Sequence, residues 1–317
     1  MNKCLITYYT SEPLLSGTNF SAEGLNYIDK KLMSLTSLAF NQNELRTEAV
    51  AISDKISIQG VQPKLSARLN FKNNKFDIVE KRGTYIIKVQ VPDRLKMPEN
   101  EDLTMKMASI IGIDVPVHGL IYDKGGDLNY FIKRFDRHGQ ISKYAVEDFA
   151  QLSEKTSATK YDASTELLIK IVNEFCTFPA IEKVKLFKRL LFSFMVGNED
   201  MHLKNFSLIT KNGITTLSPA YDLINSTIIM PGTKEEMALP IMGTKARFKL
   251  FHFVDYLAKD KMKIQPKIID KIIADITKAK PVWIDLIHDS FLNDDLKKRY
   301  VKLMNGRFER INKAIDK

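Results

Sequence analysis

The stretch GNEDMHLKN occupies residues 197–205, and a second segment, AYDL, follows a short hairpin later and carries Asp222. Asp200 precedes Asn205 by five residues, and Lys204 stands next to the asparagine. A carboxylate can orient a hydroxyl nucleophile, while amide and carboxylate oxygens are the ligands that Mg²⁺ prefers. The pattern therefore predicts a phosphoryl-transfer site with Asp200 as the base, Lys204 near the transferred charge, and Asn205 and Asp222 as metal ligands.

Each of these residues also has a structural explanation when it is taken alone. Asp200 could end a helix, Asn205 could form a turn, and Asp222 could cap the turn that follows. Their joint order and spacing favour the catalytic interpretation. For His202, a structural hydrogen-bonded role and a phosphate contact stay equally open, and His202 is not the predicted base.

Two segments upstream carry lysines that suit an anionic ligand. In SIQGVQPK, at residues 57–64, the single glycine and Lys64 could hold phosphate oxygens, although a lone glycine is usually only a turn. The apolar run YIIK ends at Lys88, where a buried lysine requires a partner. Glu101 is the predicted partner, and Asp102 or a role at the helix dipole competes with it.

The segment KRFDR, at residues 133–137, is expected to join two lobes of the protein. Its backbone groups could contact an adenine edge, and Asp136 could accept hydrogen bonds from ribose hydroxyls. The alternative is a salt-bridge junction formed by Arg134, Asp136 and Arg137.

The hydrophobic periodicity changes along the chain and predicts an α+β protein. A helix is expected after Gly24, along the series Leu25, Ile28, Leu32 and Leu35. A second helix is predicted to begin at an Asn100 cap and to end at Gly112. Strands are predicted at 65–69, 76–78, 85–91, 117–122 and 128–135, and the pattern is mainly helical from Val146 onward.

Composition limits the function classes. The chain has 317 residues, 44% of them apolar, and a formal charge of +10, which indicates a solvated cationic surface or attraction to nucleic acid or an acidic protein. No zinc finger or basic zipper accompanies this charge, so sequence-specific DNA binding is not expected. Cys4 and Cys176 form neither a zinc site nor a disulfide framework. Apolar runs too short for a signal peptide or a membrane span predict a soluble, cytoplasmic protein.

Together, these segments resemble the HipA-like serine/threonine kinases of bacterial toxin–antitoxin systems. The matching motifs run in the same order over about residues 50–225, and GNEDMHLKNFS is the most specific. The resemblance implies a two-lobed protein-kinase-like fold that uses ATP and Mg²⁺. It places an N-lobe at 1–135, with a glycine-rich loop at 57–64, and a helical C-lobe at 136–317, with a catalytic loop at 197–206.

The resemblance also implies the role of each matching residue. Asp200 and Lys204 are catalytic, Asn205 and Asp222 bind the metal, and Glu101 is the ion-pair candidate. The residues implied to contact the nucleotide are Gln59, Gly60, Val61, Gln62, Lys64, Lys88, Lys133, Arg134, Phe135, Asp136, His202, Asn205, Tyr221 and Asp222.

Members of this family phosphorylate aminoacyl-tRNA synthetases, so a tryptophanyl or glutamyl enzyme is the expected substrate. The expected partner is a small DNA-binding HipB-like antitoxin, with DNA contacted only through it. Because Ser57 lies close to the start of the sequence, the chain looks like the short HipT form, which adds a HipS-like protein as a second partner. Ser57 or Ser53 is the expected autophosphorylation site, since a phosphate beside Lys64 would reshape the loop.

Two other functions compete with this prediction. A small-molecule kinase of the aminoglycoside or choline type also uses an Asp-to-Asn catalytic spacing. A catalytically silent module that binds antitoxin or nucleic acid is the alternative from another class. The joint presence of Asp200, Asn205, Asp222 and Lys88 favours the protein kinase over the silent module.

Overall fold

The computed structural model describes residues 3–53, 62–92, 94, 96–139, 142–156, 158–230, 232 and 234–312. The helices are α1 Ala22–Ile28, α2 Gln42–Ser53, α3 Met97–Ile110, α4 Phe149–Leu152, α5 Thr165–Phe175, α6 Pro179–Val196, α7 Ser226–Ile229, α8 Pro266–Asp289 and α9 Asp294–Asn312. A 3₁₀ turn at Leu203–Asn205 and a π-helix at His252–Lys261 accompany them. The strands are β1 Lys64–Asn70, β2 Lys75–Ile78, β3 Tyr85–Lys88, β4 His118–Tyr122, β5 Leu128–Lys133, β6 Arg137–His138, β7 Ser142–Lys143, β8 Ala145–Asp148, β9 Ser207–Lys211 and β10 Ile214–Leu217.

Internal packing divides the chain into two compact units. The first comprises residues 1–103, 116–142 and 288–292, and the second comprises 104–115, 143–287 and 293–317. The units differ from the predicted domains 1–135 and 136–317 in three short segments, 104–115, 136–142 and 288–292. The predicted domain limits therefore stay a prediction.

The first unit contains a five-stranded antiparallel sheet with the order β2-β1-β3-β5-β4. Leu65 lies opposite Ile87, and Ile87 lies opposite Phe131, so the three central strands share one apolar row. All three side chains are fully buried. Their burial removes apolar surface from water, which is the main stabilising term for such a sheet.

The second unit is mainly helical, and its core includes the single tryptophan. Trp283 of α8 is fully buried, packs edge-on against Phe192 of α6, and contacts Phe308 of α9. Its indole N–H donates to the carbonyl oxygen of Met107, so its only polar group is satisfied. A small antiparallel sheet, β10-β9-β8, lies in the same unit. Among the described helices, none has both the length and the apolar composition that crossing a membrane requires.

The start of α3 differs from the prediction. The helix begins at Met97, so Asn100 lies inside its first turn, where its N–H donates to the Lys96 carbonyl oxygen. Pro98 also lies in this first turn, where a missing N–H costs nothing, and this is the signal that marks the true start. The predicted end is confirmed, because Gly112 follows the helix with a φ of 71°.

The predicted helix after Gly24 is also wrong in its limits. The helix α1 already contains Gly24, and a Cβ there would approach the Cys4 sulfur to 2.7 Å. It ends at Ile28, because the Asp29 side chain accepts the N–H of Lys31 and forms a turn. Leu32 is also buried, but it lies in irregular chain beyond the end of α1.

Candidate active site

The entry to the candidate site is a sharp chain reversal at Gly197. Helix α6 ends at Val196, and Gly197 takes a left-handed conformation with φ 74° and ψ 35°. A Cβ at this position would lie 2.9 Å from both Asn225 Oδ1 and Thr227 Oγ1. Only glycine fits, because it tolerates positive φ and leaves room for these side chains.

The carbonyl oxygen of Asp200 organises the loop that follows. It accepts the backbone N–H of His202 at 2.9 Å and the side-chain Nδ2 of Asn205 at 3.1 Å. The Asp200 N–H in turn donates to Asn198 Oδ1 at 3.3 Å. Asp200 and Asn205, which the sequence predicts as base and metal ligand, thus belong to one hydrogen-bonded loop. In this orientation the Asn205 side-chain oxygen is the atom left to bind a cation.

A residue that the sequence did not indicate also contacts the predicted base. The hydroxyl of Tyr161 donates to Asp200 Oδ1 at 2.5 Å, and its ring meets the His202 ring edge-on with centroids 5.0 Å apart. Tyr161 lies in a polar connection before α5, where neither periodicity nor motif singles it out.

His202 is a buried member of the loop. Burial lowers the pKa of its imidazole below the usual value, and the nearby carboxylates of Asp200 and Asp222 oppose this effect only in part. Both carboxylates are therefore close enough to act on the same ring. The prediction that Asp200 rather than His202 is the base stays a prediction.

The segment that carries Asp222 is fastened to the loop through Tyr221. The Tyr221 hydroxyl donates to the Lys204 carbonyl oxygen at 2.9 Å and also hydrogen-bonds Ser207 Oγ. Burial raises the pKa of Tyr221 well above its usual value. Although Tyr221 is a predicted nucleotide contact, its hydroxyl holds the protein together here. Asp222 follows with a φ of 59°, a strained conformation of the kind found at functional sites.

A buried arginine supports the same segment from α6. Arg189 is 3% exposed and donates from Nη2 to the carbonyl oxygen of Ser218 at 2.8 Å. Burial lowers the pKa of this guanidinium to about 10. The sequence did not indicate Arg189, because a single arginine in a helix is normally exposed to solvent.

In the first unit, the predicted lysine and glutamate form a buried ion pair. Lys88 Nζ lies 2.6 Å from Glu101 Oε1, and the two side chains are 6% and 3% exposed. Lys64 lies directly opposite Lys88 in the pairing of β1 with β3, so both side chains lie on one face of the sheet. Gln62 is buried, and its Nε2 donates to the Val89 carbonyl oxygen.

Much of the predicted glycine-rich loop is not described. Ser57, Gln59, Gly60 and Val61 lie outside the described residues. Ser53 ends α2, and its side chain is likewise outside them.

The segment at 133–137 uses several of its polar groups internally. The N–H of Lys133 donates to the Val117 carbonyl oxygen, and that of Arg134 donates to the Thr84 carbonyl oxygen. The Arg134 guanidinium binds both oxygens of Asp136, at 2.9 and 2.7 Å. Although burial acts to raise the pKa of Asp136, this pairing holds it below the usual value. An adenine base would have to use other backbone groups of this segment, which continues through the half-buried Phe135.

Comparison with known proteins agrees with these observations. A family model described as the HipA-like C-terminal domain matches residues 56–283. A Haemophilus influenzae protein named "Putative kinase" is 27% identical, over 92% of this chain and 92% of that protein. A Shewanella oneidensis protein named "Serine/threonine-protein kinase toxin HipA" is 27% identical, over 54% of this chain and 43% of that protein.

A solved structure resembles the chain over most of its length. HipA of Shewanella oneidensis, in a complex with HipB and operator DNA, matches with a TM-score of 0.68 at 18% identity. The match covers 88% of this chain and 73% of that one. At this identity the match tests the fold, and it confirms the predicted α+β kinase-like fold. The family model matches well over half of the residues of this chain, so the protein belongs to the HipA-like C-terminal domain family.

Proposed function

We propose that the protein is an ATP-dependent serine/threonine protein kinase. The observation that carries this proposal is the loop built on the Asp200 carbonyl oxygen, which joins the candidate base to Asn205 by a direct hydrogen bond. The link from Tyr221 to Lys204 ties the Asp222 segment to the same loop. The names of the relatives as kinases support the same chemistry.

The roles in the second unit follow from the chemistry of its side chains. Asp200 accepts the proton of the acceptor hydroxyl, and Lys204 offsets charge on the transferred group. Asn205 and Asp222 offer an amide oxygen and a carboxylate, a donor set that suits Mg²⁺. Bound Mg²⁺ would shield the phosphate charges.

The roles in the first unit rest on two neighbouring cations. Lys64 and Lys88 lie opposite each other on adjacent strands, so both side chains lie on the same face of the sheet and a phosphate group near one would lie near the other. Lys88 is paired with Glu101, and we assign to both lysines a contact with the nucleotide phosphates. Gln59, Gly60, Val61 and Gln62 are proposed to contribute from the glycine-rich loop.

The biological role that we propose is that of a toxin whose substrate is an aminoacyl-tRNA synthetase. The related Shewanella protein is named as a kinase toxin, and its structure was solved with HipB and operator DNA. A HipB-like antitoxin, assisted by a HipS-like protein, is the proposed neutralising partner.

We also propose autophosphorylation at Ser57 or Ser53. A phosphate carries a charge of about −1.5 to −2 and would interact with the cations around Lys64, which should lower ATP affinity. Mass spectrometry of active protein after incubation with Mg-ATP tests this proposal. Two unmodified serines in protein that phosphorylates a substrate would refute it.

Transfer of labelled phosphate from ATP into proteins of a bacterial lysate tests the kinase function. Asp200→Asn should lower the labelling rate by about 10²–10⁴-fold, the usual cost of losing a general base. Asp270→Asn, an exposed aspartate of α8, is the matched control and should keep the wild-type rate. Equal labelling by wild type and Asp200→Asn would show that Asp200 is not the base. Transfer to small amines or alcohols alone would indicate the small-molecule kinase instead.

A further inference from the structure

Tyr161 makes a close contact with the proposed base. Its hydroxyl is 2.5 Å from Asp200 Oδ1, and its ring rests edge-on against His202. The backbone beside it is joined to the same loop, since the N–H of Leu203 donates to the carbonyl oxygen of Lys160. Three separate contacts therefore connect residues 160 and 161 with the loop at 197–205.

This contact matters because a carboxylate group turns easily about its last torsion. The terminal torsion of an aspartate is broad, so a partly exposed Asp200 alone would present its oxygens in many directions. A general base must instead place one lone pair on the proton that it removes. A hydrogen bond from a phenol to an ionised carboxylate is short and strong, and it fixes one of the two oxygens. With Asp200 Oδ1 held in this way, the position of Asp200 Oδ2 is fixed as well, and Oδ2 is the oxygen that can take the proton.

The surroundings of Tyr161 indicate that it stays in contact with Asp200, and not that it covers the base only until the acceptor enters. A cover over the base would have to leave before each acceptor enters. The ring contact with His202 and the backbone bond from Leu203 to Lys160 hold the tyrosine to the loop instead. The side chain is also 40% exposed, so core packing alone does not account for its position.

We propose that Tyr161 is a positioning residue that orients Asp200 for proton transfer, an inference that rests on the proposed kinase function. In the transfer, the acceptor oxygen bonds to the γ-phosphorus while the bond to the β-phosphate oxygen breaks and releases ADP. The acceptor proton passes to Asp200 Oδ2. Tyr161 keeps its own proton throughout and holds Asp200 Oδ1.

The test compares Tyr161→Phe with Tyr256→Phe. Tyr256 likewise donates its hydroxyl to a carboxylate, Glu166 Oε1 at 2.8 Å, but takes no part in the proposed site, so it is a matched control. The rate measured is label transfer from γ-labelled Mg-ATP to the lysate protein that the wild type phosphorylates. Tyr161→Phe should lower kcat about tenfold and leave the KM for ATP within about twofold. Tyr256→Phe should change neither constant by more than about twofold.

A double-mutant cycle separates positioning from a general structural effect. If Tyr161 acts through Asp200, Tyr161→Phe should have no further effect in the Asp200→Asn background. A loss that persists undiminished in that background overturns the proposal, as does an unchanged Tyr161→Phe. A faster Tyr161→Phe overturns it too, because it identifies a cover over the base. If Asp200→Asn itself labels as fast as wild type, the kinase assignment of Asp200 fails, which is a distinguishable result.

Discussion

Gly197 shows how one residue sets the geometry of the candidate site. Its left-handed backbone turns the chain out of α6, and its missing Cβ leaves room for Asn225 and Thr227. Replacement with alanine should combine backbone strain with a steric clash. The strain alone costs about 1–2 kcal/mol, and the clash should add at least about 1 kcal/mol.

Urea denaturation of Gly197→Ala and Gly213→Ala tests this expectation. Gly213 has a similar φ of 76° in the turn between β9 and β10, but a Cβ there meets nothing within 4 Å. Gly213→Ala should therefore report the strain alone. Equal losses of unfolding free energy in the two variants would contradict the steric role of Gly197.

The lowered pKa of His202 predicts a dependence of stability on pH. Burial lowers its pKa in the folded protein below the value near 6.5 of the unfolded chain. The unfolded state therefore binds more protons as pH falls below about 6.5, and the free energy of unfolding decreases. His202→Gln should weaken this decrease between pH 7.5 and 5.

Chemical denaturation at a series of pH values provides the measurement. His138→Gln, which removes an exposed histidine of the first unit, controls for the loss of a histidine as such. If His202→Gln and the wild type lose the same free energy on acidification, His202 is not buried as a neutral imidazole.

At the scale of elements, the ion pair between Lys88 and Glu101 joins β3 to α3. Both partners are almost fully buried, so removing one leaves a charge without compensation. Lys88→Met should cost about 3–5 kcal/mol of unfolding free energy for this reason. Adding Glu101→Leu should recover part of the loss, since the second charge is then gone as well.

The matched control is Lys75→Met, which breaks an ion pair on the surface. Lys75 lies 3.6 Å from Asp77, and both side chains are substantially exposed. Lys75→Met should lower the free energy of unfolding by no more than about 1 kcal/mol. A Lys88→Met variant no less stable than Lys75→Met would mean that the buried pair adds little to the fold.

The elements that the sequence predicted well are those with a local cause. The hairpin of β4 and β5 follows from two apolar runs around a glycine-containing turn, and the end of α3 follows from Gly112. Helix starts were harder to predict. Asn100 has the composition of a cap but lies inside α3, because tertiary burial outweighs the cap preference of a single residue.

The candidate site divides in the same way. The sequence indicated Asp200 and Asn205 as candidates because their spacing is local, and the loop that joins them is only a few residues long. Tyr161 and Arg189 were not found, because their contacts span 39 and 29 residues and depend on how α5 and α6 are placed. No pattern in a single sequence encodes such distances directly.

At the scale of the whole molecule, nucleotide binding should stabilise the native state by mass action. A ligand at 100 times its Kd adds about 2.7 kcal/mol to the free energy of unfolding. For a protein of this size, this corresponds to a rise in Tm of roughly 4 °C. With Mg-ATP, the wild type should show this rise, and chelation of Mg²⁺ with EDTA should remove most of it.

Asp222→Asn tests the proposed metal binding by Asp222 separately from any contribution of this residue to stability. Asparagine tolerates the left-handed backbone at this position, so the apo Tm should change little while the ligand-induced rise is lost. Asp270→Asn, on the surface of α8, should keep the full rise. Because the substitution replaces a carboxylate with an amide of the same shape, a lost rise points to the missing charge at the metal. An Asp222→Asn variant with an undiminished, EDTA-sensitive rise would place the metal on other ligands and remove Asp222 from the proposed site.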